Sequence, residues 1–146
     1  MIKFKQYFQE KTVVGLIEPI FINGVGECEA KVDSGNGAYN VLHGEKIEDE
    51  DGKITFYTIN NKHIEKDIVE MVKINIGAGN YEDRPVVMFD IKIGGKDYNN
   101  VKFSIGNRSN NEYPVLIGKD FIRDELDALI DVDGKDMLTK NIEVDY

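Results

Sequence analysis

The chain has 146 residues, with 27 acidic against 18 basic side chains and a formal net charge of −9. One domain spanning residues 1-146 fits that length, and 41% hydrophobic content supplies its core, because a unit of this size buries roughly two thirds of its unfolded surface. The acidity excludes a basic stripe for phosphates or anionic headgroups, so neither nucleic acid nor a membrane is expected as a partner. A single cysteine, Cys28, excludes an internal disulfide, and without a long apolar run the expected location is the cytoplasm, or a virion if the source is viral.

Residues 1–12 and 139–146 are short alternating pieces, expected as terminal arms or edge strands. From Ile17 to Ile105 apolar residues recur at every second position in short segments bounded by Gly, Asn and Asp, which predicts a mainly β chain. Between Gly26 and Val32, Cys28, Ala30 and Val32 alternate with Glu27, Glu29 and Lys31. One face of that strand is dry, and its last inward residue directly precedes Asp33. Glu50-Asp51-Gly52-Lys53 and Gly77-Ala78-Gly79 both have the composition of hairpin tips. Val86 to Ile93 and Val101 to Ile105 are expected to pair around Gly94-Gly95. The continuous apolar run Val115-Leu116-Ile117 predicts a strand buried on both faces, broken at Gly118. Phe121, Ile122, Leu126 and Leu129 then have helical spacing, so one short C-terminal helix is expected over 119–129. Asp133-Gly134 is expected to turn a last hairpin between residues 130–132 and 137–138.

The triplet Asp33-Ser34-Gly35, directly after an apolar strand end, carries the most chemical information. Alone it is weak, because a D-[ST]-G triplet arises by chance in about one chain of this length in fifteen. Its weight comes from the second motif about eighty residues on, where Val115-Leu116-Ile117 breaks at Gly118 into Lys119-Asp120-Phe121-Ile122.

This ordered pair resembles the retropepsin-like aspartic proteases, in which a D-[ST]-G loop precedes a flap and then an apolar strand ending in glycine. Ala30-Lys31-Val32-Asp33-Ser34-Gly35, Glu82-Asp83-Arg84-Pro85-Val86-Val87, and Asn107-Arg108 through Tyr113 to Gly118 are similar to a bacterial and phage branch of that family, whose members carry the label ATP-dependent zinc protease. The resemblance implies an all-β, closed acid-protease-like barrel and an aspartic endopeptidase acting on a peptide or protein substrate. One D-[ST]-G is half of a two-carboxylate site, so it also implies a homodimer. Asp33 would be catalytic, Ser34 would lock the loops across the dimer, and Gly35 would allow close backbone approach. Gly77, Ala78 and Gly79 correspond by position to the flap tip over the substrate, and Gly118 to the structural loop glycine. The doubled negative charge of a dimer would steer basic substrates toward it.

No cofactor is expected. His43 and His63 lie twenty positions apart, no HExxH or CxxC is present, and no G-x-x-x-x-G-K-[ST] loop exists for ATP. A different class remains open at this point: a catalytically inactive binding or assembly module that keeps the fold, such as a viral structural or accessory protein.

Overall fold

The computed structural model describes residues 12–37 and 39–138, with the side chains of Leu129, Asp131 and Val132 left aside. The expected arms at 1–12 and 139–146 lie outside the described residues, except that Thr12 opens the first strand. The architecture is mainly β. Its strands are β1 (Thr12–Ile22), β2 (Gly26–Val32), β3 (Asn40–His43), β4 (Glu45–Glu50), β5 (Lys53–Thr58), β6 (Lys62–Asp67), β7 (Glu70–Gly77), β8 (Asn80–Ile93), β9 (Lys96–Gly106), β10 (Val115–Ile117) and β11 (Ala128–Lys135).

Eight strands form one sheet in the order β11-β1-β2-β10-β3-β9-β8-β7, and an additional β1 to β8 pairing joins six of them into a ring. That closure uses Ile20, Phe21 and Ile22 of β1 against Ile93, Lys92 and Ile91 of β8. Closing a sheet on itself removes two exposed edges and gives the alternating residues a common interior. Val14, Ile20, Ile22, Ala30, Val32, Val87, Phe89, Phe103, Ile105 and Ile117 meet there. Phe89 and Phe103 pack edge to face with centroids 5.8 Å apart, a favoured aromatic geometry.

A separate three-stranded sheet, β4-β5-β6, lies over this interior. Ile54, Phe56 and Ile64 belong to the same core cluster, and the Lys66 ammonium lies 4.5 Å from the Phe89 ring centroid. Its outer strand β4 is exposed along its whole length, and Glu45, Lys46, Glu48, Asp49 and Glu50 charge that edge. Such charge discourages pairing with a foreign strand.

Two expectations at the C-terminal end need correction. Asp133-Gly134 does not turn a hairpin, because both residues lie within β11, which runs parallel to β1. The close approach of the two strands depends on Gly15, where a Cβ would stand 2.7 Å from the backbone of Gly134. The expected helix over 119–129 begins where expected, at Lys119 and Asp120, but continues as a six-residue π-helical turn, Phe121–Leu126, and stops there. Asp127 adopts a left-handed conformation and donates its amide to the Ile122 carbonyl, which ends the turn and places Leu129 in β11.

Behind this end lies Glu18, fully buried on β1. Its Oε2 accepts from the Gly15 and Met137 amides at 2.8 Å each, and its Oε1 accepts from the Leu138 amide at 3.0 Å. Three backbone donors compensate a carboxylate that water does not reach, and they fasten the chain after β11 to β1. Glu18→Ala leaves those donors unsatisfied in the interior, so urea unfolding should report a loss of about 3 kcal/mol. An unchanged midpoint would remove the clamp from this account.

On β2, burial pushes the Cys28 thiol up to about 12, with the Glu29 charge adding to the rise. The group is therefore a thiol at neutral pH and weakly nucleophilic. Since the unfolded thiol ionises near 9 and the folded one does not, stability contributed here is complete below pH 9 and declines as pH rises toward 12. Iodoacetamide at pH 8 should label Cys28 slowly in the folded protein and rapidly in urea; equal rates would contradict its burial.

Candidate active site

The site grows from three short strands. β10 runs parallel to β2, with Ala30, Lys31 and Val32 opposite Val115, Leu116 and Ile117. On its other side β10 is antiparallel to β3, with Val115 opposite Leu42 and Leu116 opposite Val41. Parallel pairing brings the chain out of β2 at Asp33 and out of β10 at Gly118 side by side. Two loops eighty-five positions apart in sequence thus become neighbours.

Hydrogen bonds stitch these exits together. The Asp33 amide donates to the Ile117 carbonyl at 2.8 Å, and the Lys119 amide donates to the Asn36 carbonyl at 3.2 Å. Within the first loop the Gly35 amide donates to Asp33 Oδ1 at 3.0 Å, and the Asn36 amide donates to the Asp33 carbonyl at 3.1 Å. The Asp33 side chain therefore folds back on its own turn, a habit of aspartate at strand ends. A Cβ on Gly35 would come 3.3 Å from Asp33 Oδ1, so glycine leaves that bond uncrowded. Asp33 is half-buried, while Ser34 and Gly35 are exposed.

Gly118 is buried, and its amide donates to Asn40 Oδ1 at 2.8 Å. Asn40, itself 3% exposed, donates from Nδ2 to the Lys102 carbonyl at 3.3 Å. One amide side chain therefore ties the end of β10 to β3 and β9. Asn40 carries no signal in the sequence, because its partners lie 62 and 78 positions away.

Two arginines also reach this region. Arg108 is half-buried; its backbone amide donates to His43 Nδ1 at 2.9 Å and its Nε to the Tyr113 carbonyl at 2.9 Å. Burial holds its guanidinium below the usual value, the like charge of Arg84 adds to that effect, and the charge of Asp33 opposes it. Arg84 lies where a Cβ on Gly106 would be, 2.9 Å from its Cζ, and its Nε pairs with Glu82 Oε2 at 2.8 Å. The field beside Asp33 therefore has a positive contributor in Arg108, although the chain as a whole carries −9. Arg84 and Arg108 stand in the blocks that carry the family resemblance, but nothing local marked Arg108 as a group that feels the Asp33 charge.

Gly77, Ala78 and Gly79 form the tip of the β7–β8 hairpin, all with positive φ of 104°, 53° and 75°. The rival turn at Asp51 and Gly52 is also a hairpin tip, between β4 and β5. Tyr39 and Tyr113 are half-buried, whereas Tyr81 is 63% exposed near the β7–β8 tip. The residues present do not fit a zinc centre. Among the described residues no three His, Cys, Asp or Glu side chains gather as metal ligands. His43 is engaged at Nδ1 by Arg108 and lies 3.2 Å from Glu45 at Nε2, and His63 stacks against Tyr57. Among the described residues no helix is long and apolar enough to cross a membrane.

Asn40→Leu leaves the buried Gly118 amide without its acceptor and should cost about 2 kcal/mol by chemical denaturation. Retained stability would show that this tie is dispensable.

Comparison with known proteins agrees with this geometry. No curated protein matches the chain. A crystal structure of Lpg0085, a Legionella pneumophila protein of unknown function, superposes with a TM-score of 0.69 at 27% identity, covering 87% of this chain and 98% of that one. The family model described as retropepsin-like aspartic endopeptidase RimB matches residues 13–141, and the chain belongs to this RimB-like family.

Proposed function

We propose that the protein is an aspartic endopeptidase whose catalytic dyad is formed by Asp33 from two copies of the chain. The observation that carries this reading is the stitched pair of loops at Asp33 and Gly118, which holds one carboxylate at the surface of a rigid scaffold. Membership in the RimB-like family supports it. With one D-[ST]-G per chain, a second carboxylate comes from a two-fold partner.

Two carboxylates about 3 Å apart do not both ionise easily, so the pair shares one proton and titrates as a unit. The ionised member takes a proton from water as that water attacks the peptide carbonyl. The protonated member donates to the carbonyl oxygen, giving a gem-diol; the proton taken from water then passes to the amide nitrogen as the C–N bond breaks, and a diol hydroxyl returns its proton to the dyad as the acid forms. In this reading Ser34, exposed beside Asp33, bonds across the interface, and Gly35 keeps the approach of the two loops open. The β7–β8 hairpin, with Gly77, Ala78 and Gly79 at its tip, is the flap that covers an extended peptide with strand-like hydrogen bonds and excludes water.

Asp33→Asn preserves shape and removes the titrating group. With a mixed peptide pool as substrate, cleavage should fall at least about 100-fold while circular dichroism and dimer mass stay unchanged. Cleavage at the original rate by the folded variant would sink the mechanism. A strictly monomeric wild-type protein would favour a binding module instead.

A further inference from the structure

We propose that Glu70 is a positioning residue that ties the foot of the β7–β8 hairpin to the Asp33 loop through Tyr39 and Lys102. The functional consequence rests on the reading of that hairpin as the flap; the tie itself does not.

β7 is an edge strand that pairs with β8 and with no other strand among the described residues. At its foot the Val69 amide donates to the Val86 carbonyl at 2.8 Å, and Glu70 stands opposite Val86. Register carries this point across the sheet: Val86 is opposite Ser104, Ser104 opposite Val41, and Val41 opposite Leu116. Directly opposed residues share a face, so one row runs from β7 to β10, two residues short of Gly118. Val41 and Val86 are buried, which makes the row a packed layer.

Side chains close the same path. Glu70 Oε2 lies 3.6 Å from Lys102 Nζ, and the two side chains are 35% and 39% exposed. Lys102 Nζ is 4.9 Å from the Tyr39 ring centroid. Glu70 and Lys102 both act on the Tyr39 phenol, the carboxylate more strongly than the ammonium. Tyr39 in turn belongs to the site loop, for its carbonyl accepts from Asn36 Nδ2 at 3.1 Å. Its neighbour Asn40 holds Gly118.

An exposed ion pair alone contributes little. Here the carboxylate meets an ammonium that also sits over the Tyr39 ring, so the three groups order one another. Displacement of the hairpin foot therefore pulls on the segment that ends the catalytic loop. A staple that merely stabilised β7 would not transmit in that direction.

Hydrogen exchange on the full-length protein reads the tie without substrate. Glu70→Gln and Tyr39→Leu, which removes the ring beneath Lys102, should each raise amide exchange several-fold in residues 70–79 and also in 33–39, with the double variant no faster than either single one. Lys92→Ala, which breaks the ion pair with Asp97 at the other end of β8, should change neither segment. Acceleration confined to the substituted segment, or additive effects in the double variant, would overturn the proposal. With a cleavable peptide, Glu70→Gln should raise KM more than it lowers kcat. Failure of the wild-type protein to cleave any peptide would overturn the peptidase reading and leave the exchange result standing.

Discussion

Everything at the candidate site depends on the insertion of β10 between β2 and β3. A three-residue strand can be held there because Val115 and Ile117 are fully buried and its backbone is paired on both sides. The parallel side delivers Asp33 and Gly118 to one place, and the amide of Asp33 bonding to Ile117 fixes their relative height. Without that insertion the triplet would be an ordinary turn after an alternating strand. The hydrogen bonds of Asn40 to Gly118 and to β9 extend the same constraint to the ring of strands.

The ring supplies rigidity, and the additions to it supply whatever is mobile or specific. β7 and the first half of β8 extend beyond the closed strands, so the hairpin carrying Gly77, Ala78 and Gly79 has exposed faces and one free edge. Such an element opens at low cost in buried area. The opposite end of the molecule is treated differently. There Glu18 draws the residues after β11 onto β1 through buried, charge-assisted bonds.

The strands were legible wherever one face is wet and one dry. Cys28, Ala30 and Val32 announced β2, and Gly94-Gly95 announced the β8–β9 turn, because these signals are local. Asp133-Gly134 misled for the opposite reason: a glycine after aspartate looks like a turn, whereas the pair lies within β11, held beside β1 at Gly15, over a hundred positions away, where a side chain would meet the Gly134 backbone. Glu18 between apolar neighbours reads as a solvated charge until Met137 and Leu138 are brought to it. At the site, Asp33 and Gly118 were legible as motifs. Asn40, Arg84 and Arg108 were not, since each acquires its partners only after β3, β8, β9 and β10 have assembled.

The central claim is that two copies of Asp33 act as one catalytic unit, and subunit mixing tests it most directly. Wild-type protein is equilibrated with increasing amounts of Asp33→Asn protein under conditions that allow exchange, and cleavage of a peptide pool is followed. Shared catalysis predicts that the inactive chain poisons its partner, so an equal amount lowers the wild-type rate to about half. A rate that depends only on the amount of wild-type chain, untouched by any excess of the variant, would contradict it.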